Sequence, residues 1–179
     1  MPSRSYSFPD KLGLLILAGV LGLVVWRLQS SRREAPVAPG TPLPPLTTVS
    51  WLNVPEGEAV DPAGKIVVVD CWATWCGPCI ASLPHLALAA AHYRPLGVQF
   101  IGVTSETEED VSTIKQVIET TPGFEWPVAY NGDDFLAALN VRVIPTVIVF
   151  GPDGRALWSG VGSDGLEDAL DAALASAKR

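Results

Sequence analysis

The sequence predicts an α/β fold, in which a central mixed β-sheet is covered by helices. Two β-branched runs, 65–73 and 98–105, have the composition of buried strands. Segments of helical length separate the apolar runs, and one more closes the chain. Residues 146–161 form two apolar runs around a turn at Gly151–Gly154, which predicts a hairpin. Because a hairpin pairs its strands antiparallel, the sheet is expected to be mixed.

The order of elements is strand, helix, strand, helix, strand, helix, strand, strand, helix. The helix after the first strand is alanine-rich, and Pro84 is expected to kink it. The next helix carries Val111, Ile114, Val117 and Ile118 on one face. Beyond the strands and hairpin above, the predicted elements are helices at 79–93, 108–120, 133–140 and 166–177, and a short strand within 126–131.

Composition limits the possible functions. The chain has 179 residues, 48% of them hydrophobic, which suits one ordinary domain with a real core. Its formal charge of −7 disfavours nucleic-acid binding, which depends on neutralising phosphates. The chain's 3 cysteines are too few for a disulfide scaffold, and their clustering indicates redox or metal chemistry.

The N-terminus is predicted to lie outside the globular domain. After a short segment, 1–11, an uncharged run at 12–26 lies between Lys11 and Arg27. It is shorter than the roughly 20 residues of a typical membrane span, and a signal-peptide core has a similar length. Because no A-x-A-like cleavage pattern follows, we predict an uncleaved transmembrane helix at 12–28, with a cleaved signal as the alternative.

A proline-rich linker at 29–46 is expected to follow the anchor. The stretch "APVAPGTPLPPL" at 35–46 favours extended polyproline II and would act as a semi-rigid spacer. The globular domain is therefore predicted at 47–179. The basic residues that flank the apolar run weakly oppose export of this domain under the positive-inside rule.

All three cysteines lie in the stretch "VVVDCWATWCGPC". Cys76 and Cys79 have Cys-x-x-Cys spacing, and Cys76 stands at the expected N-terminus of a helix, where partial positive charge favours a thiolate. Gly77 allows close approach, and Pro78 suits a first helical turn. We therefore expect Cys76 to be the exposed attacking thiol and Cys79 the buried thiol that releases the mixed disulfide.

These residues closely resemble the thioredoxin superfamily. The sequence "WCGPC" at 75–79 is the thioredoxin active-site motif, and Asp70 stands six residues before Cys76, where thioredoxins keep a buried acid. Further matches are "WA" at 72–73, Pro84, "VIPT" at 143–146 and "GPDGR" at 151–155. The extra segment 108–130, together with the anchor, resembles the TlpA/ResA branch of membrane-tethered thiol-disulfide oxidoreductases. Two residues depart from that branch: Ser82 replaces a frequent Glu, and Asp70 is present where an acid is often absent.

The resemblance implies a cofactor-free reductase of disulfides in exported proteins, acting in cytochrome c maturation or general redox homeostasis. Its catalytic residues would be Cys76, Cys79 and Asp70, with Asp70 as the proton acceptor for Cys79. Its client-binding residues would be Trp75, Gly77, Pro78, Ile144 and Pro145, the last in a cis-proline loop. It also implies an electron donor of the DsbD/CcdA type and a single-pass, monomeric protein in the inner membrane. The catalytic domain would face the periplasm or cell exterior.

The same residues allow several alternative functions. A zinc site is disfavoured because the only other candidate ligands are Cys71, His85 and His92, without ligand spacing. A peroxiredoxin-type peroxidase would need a different setting for its cysteine, and a non-catalytic binding module would not need both cysteines. Strand alternation places Cys71 on the face opposite Asp70, which favours a structural role. His85 and His92 are expected to be surface residues.

Overall fold

A computed structural model describes residues 20, 35–54 and 60–177 of the chain. The chain divides into two units, Met1–Glu34 and Ala35–Arg179. The predicted transmembrane helix at 12–28 lies outside the described residues apart from Val20. No helix among the residues described is both long and apolar enough to span a membrane.

The second unit is built on a mixed sheet of six strands. These are β1 (Ser50–Leu52), β2 (Ile66–Cys71), β3 (Val98–Val103), β4 (Val128–Tyr130), β5 (Thr146–Phe150) and β6 (Ala156–Val161). Their order across the sheet is β1-β4-β3-β2-β5-β6. Strands β2, β3 and β4 are parallel, whereas β1, β5 and β6 each run antiparallel to a neighbour. The predicted mixed sheet is confirmed, and β1 is an addition that the sequence did not predict.

Four α-helices complete the unit. They are α1 (Gly77–Tyr93), α2 (Val111–Thr120), α3 (Asp133–Ala138) and α4 (Leu166–Ala177). Each lies within one or two residues of a predicted helix, except that α2 is preceded by a 3-10 turn at Glu108–Asp110. Helix α1 continues without interruption through Pro84.

The sheet separates two hydrophobic cores. Helices α1, α2 and α4 pack on one face, which contains Val68, Trp72 and both cysteines of the motif. On the opposite face lie Val67, Val69 and Cys71, covered by Phe135 of α3 and by residues that precede β2. The predicted alternation along β2 is therefore confirmed, and all six residues of this strand are buried because both faces are covered.

The proline-rich segment differs from the expected spacer over residues 37–43. Val37 is buried, and its N–H and C=O groups both hydrogen-bond the Ser159 hydroxyl, at 2.9 and 2.8 Å. Farther along, the N–H of Gly40 donates to the carbonyl of Ala156, and the N–H of Leu43 donates to that of Gly154. The packed unit therefore includes residues that the sequence assigned to the linker, and they cover the outer edge of β6.

Substituting Ser159 tests this attachment. In Ser159→Ala, the buried N–H and C=O of Val37 both lose their partner, and each unsatisfied buried group costs roughly 1–3 kcal/mol. We expect the free energy of unfolding in urea to fall by about 2–6 kcal/mol for the two groups together. Thr41→Ala is the matched control, because the Thr41 hydroxyl bonds the Ala38 carbonyl in an exposed position. Equal stability of Ser159→Ala and the wild type would contradict the assignment.

Candidate active site

The Cys-x-x-Cys motif lies where the buried strand β2 passes into helix α1. Cys76 is the N-cap residue of α1, and its sulfur accepts a hydrogen bond from the Cys79 N–H at 3.2 Å. The two cysteines form a disulfide with their Cα atoms 5.2 Å apart. The N-cap position exposes the sulfur of Cys76 to the positive end of the helix, which stabilises a thiolate there when the disulfide is reduced.

Exposure differs sharply among the residues of the motif. Trp75 is 73% exposed, whereas Cys76 retains only 5% and Cys79 none. Cys76 was expected to be exposed, and this prediction is wrong. The N-cap geometry turns its sulfur toward the helix, so the residue is largely buried. Cys76 is nevertheless the more accessible of the two cysteines. Gly77 and Pro78 are exposed beside it.

Asp70 lies in the middle of the sheet and is 2% exposed. It pairs with Gly102 of β3 and Val147 of β5. Neither carboxylate oxygen has a hydrogen-bond partner within the part of the chain that the structure describes. Burial penalises the charged form, so it raises the pKa of Asp70 from 3.8 to about 7.

The loop before β5 contains the predicted proline. The Ile144–Pro145 peptide bond is cis, as expected. Ile144 packs against both hydrophobic cores, one of which holds both cysteines, and the Pro145 carbonyl accepts a hydrogen bond from the Gly162 N–H at 2.9 Å. These contacts attach the loop to both cores and to the residue that follows β6.

The contacts of the other candidate residues, Cys71 and His85, indicate structural roles. Cys71 is a free, fully buried thiol whose pKa is raised well above its ordinary value, first by burial and then by the charge of Asp70. His85 is half-exposed and joins α1 to the C-terminal region, with Nδ1 2.8 Å from the Ser163 hydroxyl and Nε2 2.9 Å from Glu167. Among the described residues, no group of three or more side chains could hold a metal ion.

Sequence reasoning missed one polar residue beside the motif. Glu106 is 7% exposed, and its carboxylate accepts hydrogen bonds from the backbone of Thr74, directly before Trp75, and from the Thr74 hydroxyl. The only signal in the sequence was an acid shortly after a buried strand, which is usually a solvated position.

A disulfide at the N-terminus of a helix that follows a central buried strand, with a cis-proline loop on the same face, defines a thioredoxin-fold thiol-disulfide oxidoreductase. Residues 42–174 match the family model described as Redoxin. The chain therefore belongs to the redoxin family, and its predicted likeness to the TlpA/ResA branch of the thioredoxin superfamily is confirmed.

Named relatives and solved structures agree with this class. The thiol-disulfide oxidoreductase ResA of Bacillus subtilis is 26% identical over 80% of this chain and 78% of its own length. ResA of Bacillus cereus is 28% identical over 80% of this chain and 81% of its own length. A structure described as thiol:disulfide interchange protein DsbE from Chlorobium tepidum has a TM-score of 0.63 and 26% identity, covering 77% of this chain and 99% of that one. The chain is thus an enzyme, a protein thiol-disulfide oxidoreductase.

The burial of Asp70 predicts a pH-dependent stability. One pKa unit corresponds to about 1.4 kcal/mol, so an ionised Asp70 destabilises the fold by on the order of 4 kcal/mol. Because the folded pKa lies above the unfolded one, wild-type stability should fall as pH rises from about 4 to 7 and then level off. Asp70→Asn should lack this loss.

Urea unfolding of the two proteins at pH 5, 6, 7 and 8 checks this expectation. The stability advantage of Asp70→Asn should grow between pH 5 and 7 and remain constant above that. A difference between the proteins that does not vary with pH would show that Asp70 is not a buried, titrating group.

Proposed function

We propose that this protein reduces disulfides of exported proteins through a Cys76–Cys79 dithiol/disulfide cycle. The observation that carries the proposal is the asymmetry of the pair: Cys76 caps a helix and keeps some exposure, while Cys79 is fully buried behind it. The Gly-Pro pair between the cysteines resembles that of thioredoxin, a reductant, and therefore favours reduction over oxidation.

The cycle has two exchange steps. The Cys76 thiolate attacks one sulfur of a client disulfide, forms a mixed disulfide and releases the other client sulfur as a thiolate. The Cys79 thiolate then attacks the Cys76 sulfur, which forms the Cys76–Cys79 disulfide and releases the second client thiolate. Two electrons pass from the enzyme to the client, and both client thiolates take up protons.

Asp70 is proposed as the proton acceptor for Cys79. A buried thiol stays protonated at neutral pH, since its reference pKa is about 8.5 and burial raises it. Asp70 stands on the strand beneath the motif and has a pKa of about 7, close to working pH. Its carboxylate is therefore able to take the Cys79 proton before the second exchange.

Client binding is assigned to the exposed residues around the disulfide and to the cis-proline loop. Trp75 offers a large exposed ring, and Gly77 and Pro78 leave the approach to Cys76 open. Ile144 and Pro145 lie in the loop before β5, where an extended client segment would run along the backbone.

The proposed location is the inner membrane, with one transmembrane helix and the catalytic domain in the periplasm or outside the cell. The apolar run at 12–26 and the ResA-like body support this proposal. A reductase in an oxidising compartment needs an electron source, so we assign it a membrane donor of the DsbD/CcdA type. Trapping clients on Cys79→Ala would decide between cytochrome c maturation and general redox homeostasis.

Insulin reduction with dithiothreitol as donor tests the activity. The unit Ala35–Arg179 should catalyse it, because this range includes the segment paired with β6. Cys76→Ser should abolish turnover, since no attacking thiolate remains. Cys71→Ala is the matched cysteine control and should keep nearly full activity, because Cys71 lies on the opposite face of the sheet. Loss of activity in a folded Cys71→Ala would contradict its structural role.

Asp70→Asn tests the proton acceptor. It should slow the release of preformed mixed disulfides by roughly 10²-fold, the scale of general base catalysis. Alkylation of Cys76 by iodoacetamide should change much less. Stopped-flow measurement between pH 6 and 8 separates the two steps. Release at the wild-type rate throughout that range would eliminate Asp70 as the acceptor.

Topology is tested with two reporters fused to the C-terminus of the full chain. An alkaline phosphatase fusion, which is active only after export, should be active. A cytosol-dependent reporter at the same position should be inactive. The reverse pattern would overturn the proposed location without affecting the enzymatic assignment.

A further inference from the structure

The loop between β2 and α1 is held by the buried carboxylate of Glu106. Its Oε2 atom accepts hydrogen bonds from the Thr74 N–H and from the Thr104 hydroxyl, both at 2.9 Å. Its Oε1 atom accepts the Thr74 hydroxyl. Both oxygens are therefore used, and two of the three donors belong to one residue of the active-site loop.

Glu106 is itself fixed from two sides. Its N–H donates to the Thr104 hydroxyl at 3.2 Å, and its carbonyl accepts from the Asn131 N–H at 2.8 Å. Thr104 is fully buried directly after β3. Donors around a buried carboxylate offset the cost of removing it from water, and hydrogen bonds to a charged acceptor are stronger than neutral ones. The carboxylate is thus a rigid attachment point.

Thr74, the residue that Glu106 binds, affects the position of Trp75. Thr74 directly precedes Trp75, whose side chain is 73% exposed and so has little packing to fix its direction. The backbone then sets the direction of its Cα–Cβ bond, from which the ring extends. On one side the backbone is held by Glu106 at Thr74, and on the other by the hydrogen bond from Cys76 N–H to the Ala73 carbonyl at 3.1 Å.

We infer that Glu106 is a positioning residue for client recognition, which orients Trp75 beside the disulfide by fixing the backbone of Thr74. This inference rests on the proposed reduction of protein disulfides. The Cys76 sulfur does not depend on Glu106, because it is held by the Cys79 N–H at the helix terminus. Glu106 therefore affects docking of a protein client more than the intrinsic reactivity of Cys76.

Three substitutions separate geometry from charge. Glu106→Ala removes every side-chain contact to the loop. Glu106→Gln keeps the shape without the charge: its carbonyl can accept both bonds made to Oε2, and its amide can donate to the Thr74 hydroxyl, which also accepts. Glu106→Asp keeps the charge but is one methylene too short to reach the loop.

Glu108→Ala is the matched control. Glu108 carries the same charge two residues away, is exposed, and bonds Asn131 Nδ2 at 2.7 Å without contacting Thr74. All four variants are made in the full chain. Three measurements are made on each: insulin reduction, which gives KM and kcat, the rate of Cys76 alkylation by iodoacetamide, and amide exchange in the peptide containing residues 74–76.

Glu106→Ala and Glu106→Asp should raise the KM for insulin roughly tenfold, which corresponds to about 1.4 kcal/mol. Both should speed amide exchange at Thr74. The kcat and the alkylation rate should stay within about twofold of the wild type, since the sulfur keeps its own hydrogen bond. Glu106→Gln and Glu108→Ala should resemble the wild type in all three measurements.

Two results would overturn the inference. One is a KM and an exchange rate in Glu106→Ala equal to those of Glu108→Ala. The other is a Glu106→Gln protein as impaired as Glu106→Ala, which would indicate a role for charge. If Glu106→Ala does not fold, Glu106→Asp supplies the same measurements. If the wild type fails to reduce insulin, the proposed function fails, while amide exchange still reports whether Glu106 holds the loop.

Discussion

The hydrogen bond from the Cys79 N–H to the Cys76 sulfur is the interaction on which the active site depends. It exists because a central strand, buried on both faces, passes within five residues into a helix that begins at Gly77. The strand fixes the position of the helix terminus, and the terminus fixes the sulfur. The thiolate of Cys76 is thereby stabilised, while Cys79 lies about one helical turn farther along and is fully buried.

The same burial explains why the ionised carboxylate of Asp70 destabilises the fold. A strand covered on both faces offers its backbone groups to neighbouring strands but leaves a polar side chain without donors. An apolar residue at this position would stabilise the sheet. The charge is thus located where it weakens the fold, on the face of the sheet that also holds the buried Cys79, and such conflicts between stability and local chemistry are typical of functional sites.

The elements from β2 to the C-terminal helix were predictable, whereas β1 and the tertiary contacts were not. Helix α1 and strands β2 and β3 follow from composition, because each is long and deeply buried. The three-residue strand β1 carries too little pattern to be recognised. The prolines predicted a spacer over residues 37–43 because proline favours extended backbone, but an extended backbone also pairs with a strand edge. The contact between Glu106 and Thr74 joins residues 32 apart in sequence, so only the fold reveals it.

The sheet separates the third cysteine, Cys71, from the Cys76–Cys79 disulfide. Side chains alternate along β2, so Asp70 and Cys71 are neighbours in sequence but belong to opposite cores. Cys71 lies among Val69, Ile101 and Ile148. There, burial and the adjacent charge both oppose formation of its thiolate. Because a thiol reacts as the thiolate, Cys71 can remain reduced within a few residues of an active disulfide. The selectivity among three clustered sulfurs therefore comes from strand geometry, with no residue needed to shield the third.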